Sequence, residues 1–149
     1  MTLVAQGLLK VNKEILKKER WSKYGLSCIN VHSKGWFYIN QNGLGRNTPF
    51  SGDNDCVPFT NGVAVGTSNG KVVFYNQLIE VVKRTDYSFA SGFYQGFSKV
   101  CRGVLEKESD QHGEHYSLKG GVCGYINTDF DVVVPLQYSF ESTPKPGKL

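Results

Sequence analysis

The chain has 149 residues and a formal net charge of +4, with 40% apolar and 20% charged residues. These are ordinary globular proportions that exclude wholesale disorder and fibrous repeats, and the length suits one domain or a short repeat array. The finer balance is less ordinary: 17 glycines, nine Phe, eight Tyr and two Trp stand against a single Met, which favours short strands and tight turns over packed helices.

The charge excess permits an acidic partner without demanding nucleic acid. Met1-Thr2-Leu3-Val4-Ala5-Gln6-Gly7 has no basic n-region, long apolar core or cleavage site, so no secretory signal is expected. The longest apolar stretch, Val132-Val133-Val134-Pro135-Leu136, falls far short of the roughly 20 residues that cross a bilayer, and no membrane partner is expected. Cys28, Cys56, Cys101 and Cys123 are too widely spaced for a Cys-x-x-Cys pair. Without a signal they read as reduced thiols of a cytoplasmic protein.

In chain order, Gln6-Gly7-Leu8-Leu9-Lys10-Val11 is a turn glycine followed by a short alternating strand, and it reappears as Gln95-Gly96-Phe97-Ser98-Lys99-Val100. Residues 12–24 form an insertion in which Val11, Ile15 and Leu16 have helical spacing, predicting a short helix within 12–21; a lysine-rich strand extension is the competing reading. Two registers compete over the following segment. In the preferred one, Lys23 to Asn30 is the second strand of a repeat and Gly35 to Ile39 the third; in the other, Gly25-Leu26-Ser27 is a first strand and Trp36-Phe37-Tyr38-Ile39-Asn40 the second. Residues 43–58, rich in Gly, Asn, Pro and Asp, are expected as a surface loop.

Asn61-Gly62-Val63-Ala64-Val65 is a looser copy of the opening turn and strand. Two later strands end in asparagine, Val73-Phe74-Tyr75-Asn76 and Gly124-Tyr125-Ile126-Asn127. Each Asn precedes a β-branched run, Glu80-Val81-Val82 or Asp131-Val132-Val133-Val134, and then Tyr87-Ser88-Phe89 or Tyr138-Ser139-Phe140, with the Tyr eleven residues beyond the Asn. The matching offset marks three-stranded antiparallel meander repeats at about 7–58, 59–92 and 93–141 of a single mainly β domain, forming an open or propeller-like array. Insertions fall at 12–24 and 102–120, and residues 142–149 are expected as a disordered tail.

The run Gly124-Tyr125-Ile126-Asn127-Thr128-Asp129-Phe130-Asp131-Val132-Val133-Val134-Pro135 resembles the bacterial WG repeat, which typically runs Gly-Leu-Ala-x-Val, Lys-Trp-Gly-Tyr-Ile-Asp, Gly-x-Val-Val-Ile-Pro and then Tyr. Phe93-Tyr94-Gln95-Gly96 and Phe59-Thr60-Asn61-Gly62 match its Phe-x-x-Gly opening. The Trp-Gly pair itself is absent, with Cys123-Gly124, Val73-Phe74 and Tyr24-Gly25 standing in its place, so the copies are degenerate. The resemblance implies a binding or structural role and supplies no catalytic residues.

The residues themselves offer few chemical candidates. His112-Gly113-Glu114-His115, near Glu106, Glu108 and Asp110, matches no zinc framework and reads as a solvated loop, so no metal or cofactor is expected. Cys28 near His32 and Cys123 near His115 lack an orienting third group and read as buried structural cysteines, so no catalytic residue is assigned and an enzyme is not expected. The leading expectation is a non-catalytic protein-binding β-repeat module that meets its partner through the two insertions: Lys13, Lys17, Lys18, Arg20 and Trp21 in the basic one, Glu106, Glu108, Asp110 and Glu114 in the acidic one. An immunity or inhibitor protein of a bacterial toxin fits that description. The alternatives are a nucleic-acid module using the basic 10–23 segment and a structural scaffold, with a homodimer as one way of covering unpaired strand edges.

Overall fold

The computed structural model describes residues 2–3, 7–50, 54–111, 113 and 116–147, and the fold is mainly β. The chain divides into two compact units, Met1–Thr85 and Asp86–Leu149. Among the described residues every strand pairing is antiparallel and no sheet closes on itself.

The first unit holds two sheets. One has the order β1-β2-β5-β4-β3, built from Thr2–Leu3 (β1), Leu8–Lys10 (β2), Leu26–Val31 (β3), Gly35–Asn40 (β4) and Leu44–Asn47 (β5). The other is a meander of Ala64–Ser68 (β6), Lys71–Tyr75 (β7) and Val81–Arg84 (β8). Alternation along β4 divides its side chains between two cores. Phe37 and Ile39 join Leu9, Val11 and Val31 on one side. Tyr38 faces the other, where its ring lies 4.8 Å from that of Phe59, which meets Tyr75 edge-on at 5.7 Å. Burial, and secondarily Asp55, pushes the Tyr38 hydroxyl up to about 12, consistent with its donation to the Val57 carbonyl at 2.7 Å.

The second unit is one sheet of order β12-β11-β10-β9: Phe89–Ala90 (β9), Phe97–Ser109 (β10), Tyr116–Asn127 (β11) and Val132–Tyr138 (β12), closed by a 3-10 turn at Phe140–Ser142. Val100, Cys101, Cys123, Ile126 and Val134 form its fully buried centre.

Three meanders share one turn. Asn40 Oδ1 accepts from the amides of Asn42 and Leu44, Asn76 Oδ1 from Leu78 and Glu80, and Asn127 Oδ1 from Asp129 and Asp131, all between 2.9 and 3.1 Å. In each case the amide three residues on returns to the Asn carbonyl. The Asn amide thus replaces a backbone partner for two donors that the tight reversal leaves unpaired. The third residue after each Asn has a left-handed backbone: Gly43 at φ 85°, Ile79 and Phe130 at 65°. Only the first copy has glycine there, and Ile79 and Phe130 hold the conformation at a steric cost.

This turn corrects the register preferred above. Leu26–Val31 is the first strand of the N-terminal meander, Gly35–Asn40 the second and Leu44–Asn47 the third. Gly7 to Val11 supplies β2, which adds to the far edge of β5. Leu44–Asn47 is therefore a central strand, not part of a surface loop. Gly45 fits because a Cβ there would lie 2.8 Å from the Tyr38 carbonyl oxygen. The helix is a single turn, Lys13–Leu16 (α1), capped by Asn12 Oδ1 accepting from the Ile15 amide at 3.1 Å. It stops early because only Ile15 and Leu16 reach the core at helical spacing; Trp21, the next apolar contact, lies off that stripe. Tyr87-Ser88-Phe89 does not close the second meander. It enters the next sheet, where Ser88 bonds the Cys101 carbonyl and β9 pairs with β10. Of the expected tail, Thr143 donates its hydroxyl to the Ser139 carbonyl at 2.8 Å, and residues 148–149 lie outside the described set.

The shared turn predicts that Asn76→Ala lowers the urea stability of the protein by about 1–2 kcal/mol through two lost backbone bonds. Asn76→Asp, which keeps the acceptor oxygen, should lose less than half of that.

Candidate functional site

The 102–120 insertion is a two-stranded arm. Past Cys101 and Cys123, which stand directly opposite each other, the β10–β11 ladder shifts register between Arg102 and Leu105 and then continues from Leu105↔Gly120 to Ser109↔Tyr116. The shift is a bulge carried by glycine. Gly121 has φ 66°, a left-handed conformation that favours glycine, and a Cβ on it would come within 2.6 Å of the Leu105 side chain.

Five interactions hold the base. Cys101 and Cys123 form a disulfide across the two strands. Arg102 Nε donates to Asp86 Oδ2 at 3.0 Å, and its guanidinium lies 5.1 Å from the Tyr87 ring centroid. The Ser88 hydroxyl reaches the Gly103 carbonyl at 2.6 Å. The Gly120 amide donates to the Glu141 carboxylate at 3.0 Å. Hydrogen bonds from Ser139 first, then from the backbone at Glu141 and Gly120, hold that carboxyl below its ordinary range.

Beyond the base the two faces differ, as the period-2 geometry of strands requires. Leu105, Lys107, Tyr116 and Leu118 share one face, with the Lys107 ammonium 4.6 Å from the Tyr116 ring centroid. Glu106, Glu108, Ser117 and Lys119 share the other, with Glu108 and Lys119 paired at 3.3 Å. Val104 at the bulge is 84% exposed. Glu106, Glu108 and Asp110 are exposed, as the sequence leads one to expect of a charged insertion, but they belong to the arm and its turn instead of a loop. Glu114, His112 and His115 lie outside the described residues.

The basic insertion is arranged differently. Lys13, Lys17 and Trp21 converge with Leu16 and Gln41 around a shallow hollow of about 410 Å³. Arg20 and Trp21 line a second one of about 730 Å³ with Tyr24, Tyr38 and Phe59. Lys18 is exposed, and Lys17 makes an exposed pair with Glu14 at 3.4 Å, an interaction of little energetic weight. Trp21 packs against the Leu9–Ile39 core cluster, and Glu19 accepts from the Ser27 hydroxyl at 2.7 Å. The segment is therefore tied to the sheet through the aromatic ring that a nucleic-acid reading requires for stacking.

The cysteines are not reduced thiols. Cys28 bonds Cys56 as Cys101 bonds Cys123, across 28 and 22 residues. The first bridge fastens β3 to the segment that follows the undescribed residues 51–53. Among the described residues the grouping of potential metal ligands is Cys28, Asp55 and Cys56, a disulfide beside a carboxylate whose sulfurs are already committed to each other. No family model, curated protein or solved structure matches the chain.

Native protein treated with iodoacetamide without reductant should take up no label, and unfolding with dithiothreitol should release four reactive thiols. Replacing Cys101 and Cys123 together by Ala should cost about 2–4 kcal/mol in denaturant unfolding.

Proposed function

We propose that the chain is a non-catalytic protein-binding β-repeat module that presents the β10–β11 arm to its partner. The observation behind this reading is the arm itself: a two-stranded ribbon with mostly exposed side chains, fastened at its root by a disulfide and hydrogen bonds. An isolated hairpin of this kind is marginal in water, and covering its Leu105–Tyr116–Leu118 face against another protein is the natural source of the missing stability. The acidic face and tip, with Glu106, Glu108 and Asp110, favour a basic partner surface. An immunity or inhibitor protein that lays such an arm over the basic site of a toxin satisfies both requirements.

The WG-repeat resemblance gains support from the shared Asn turn. Counting back four residues from each turn Asn gives Trp36-Phe37, Val72-Val73 and Cys123-Gly124, in place of the Tyr24-Gly25 and Val73-Phe74 aligned from the sequence, and a tryptophan at the first of these positions supports the resemblance. Among the described residues no helix is long and apolar enough to cross a membrane. The two disulfides favour an oxidising compartment over the cytoplasm expected from the sequence.

The test compares the intact chain with a variant in which Gly103 is joined to Gly120 through an Asn-Gly turn. The intact chain should recover a stoichiometric protein from its native cells, and the armless variant should not. Glu106→Lys with Glu108→Lys should weaken that complex at least about tenfold. Equal recovery by the armless variant would overturn the reading, and recovery of RNA in place of protein would favour the basic segment.

A further inference from the structure

At the opposite end of the β10–β11 ladder from the arm, the second unit has a half-open cavity of about 530 Å³, a volume within the usual range for small-molecule sites. Four aromatic side chains line it. Phe97 opens β10, Tyr125 stands opposite Lys99 on β11, Phe140 comes from the 3-10 turn, and Tyr94, 76% exposed, stands at the rim. Two lysines line the same space, Lys99 from the sheet and Lys145, an exposed residue, from the segment after the 3-10 turn.

Lys99 is held with unusual definition for a lysine. Its Nζ donates to the Phe140 carbonyl at 3.0 Å and lies 4.1 Å from the Phe140 ring centroid and 5.9 Å from that of Tyr125. Ring faces and one carbonyl orient a cation but do not neutralise it. Among the described residues neither Lys99 nor Lys145 forms a salt bridge. Burial first, and the charge of Lys145 second, push the Lys99 pKa down, with Glu141 opposing the effect. A positioned, under-compensated cation beside a second one, inside an aromatic cup, is electrostatic complementarity for an anion attached to a flat ring.

We propose that this cavity is a binding site for a small organic anion, its ring packed among Tyr125, Phe140 and Tyr94 and its carboxylate or phosphate received between Lys99 and Lys145. The arm has no part in the site, so the inference stands or falls separately from the protein-binding reading. An anion there would supply the charge that the two lysines lack, while the ring would displace water from apolar walls.

The experiment is a titration of the full ¹⁵N-labelled chain followed by amide NMR, with 2-naphthoate and 2-naphthyl phosphate as probes and neutral 2-naphthamide as control. At least one anion should shift the amides of Gln95, Lys99 and Tyr125 saturably and bind about tenfold or more tightly than the amide. Lys145→Gln, outside every strand, should weaken the better probe about tenfold with the rest of the spectrum unchanged. Lys99→Gln should do the same and Lys99→Arg should restore much of the binding. The proposal is overturned if neither anion shifts these amides by about 10 mM, if naphthamide binds as well as the anions, or if Lys145→Gln and Lys99→Gln both leave affinity unchanged.

Discussion

The presentation of the arm depends on one constraint, the covalent bond between Cys101 and Cys123 at directly opposed positions of β10 and β11. On the sheet side of that bond the ladder is buried, with Val100 and Ile126 fully inaccessible. On the other side it passes through a glycine bulge into a ribbon that solvent reaches from both faces. Without a fixed root, such a ribbon would lose register easily, because neither face is pinned by a core of its own. The disulfide, the Arg102–Asp86 pair and the Gly120–Glu141 hydrogen bond together stop slippage from reaching the sheet. They let a marginal element occupy a definite place.

The same economy of means recurs in the Asn turns. One side-chain oxygen satisfies two amides and reverses the chain within a few residues, at Asn40, Asn76 and Asn127 alike. Two of these turns were legible in the sequence because the β-branched strand that follows each Asn is strongly patterned and the offset to the next Tyr-Ser-Phe is constant. The third was obscured. Leu44-Gly45-Arg46-Asn47 carries two polar residues and a glycine, and strand character there comes from tertiary enclosure: Arg46 is buried and donates to the Ile79 carbonyl at 3.1 Å, while the Asn47 side chain bonds Thr67. Local propensity cannot report partners that lie 33 and 20 residues away. The signal that could have decided the register was Asn40 followed three residues later by Gly43, the one copy with the residue that a left-handed turn prefers.

The site was legible only in part. The charged residues of the second insertion were identifiable as exposed, and the alternation Leu105-Glu106-Lys107-Glu108 against Tyr116-Ser117-Leu118-Lys119 was available as a strand signal. The neighbouring His, Gly and acidic residues outweighed it and suggested a loop. The disulfides were beyond sequence reasoning, since four cysteines admit three pairings and their spacing selects none of them. The Lys99 cavity was equally hidden. Tyr94, Phe97, Lys99, Tyr125 and Phe140 belong to separate stretches of chain that share a wall only after β10, β11 and the 3-10 turn have packed.

As proposed, the arm is a marginal element rooted in a stable sheet and covered by another protein only in the complex. Native-state hydrogen exchange on the isolated chain tests it most directly. Strong protection is expected for the amides of Val100, Cys101, Cys123 and Ile126, and exchange at least about a hundredfold faster from Leu105 to Ser109 and from Tyr116 to Lys119. Equal protection in both regions would mean that the arm is already part of the folded core, and would contradict its role as a surface held open for a partner.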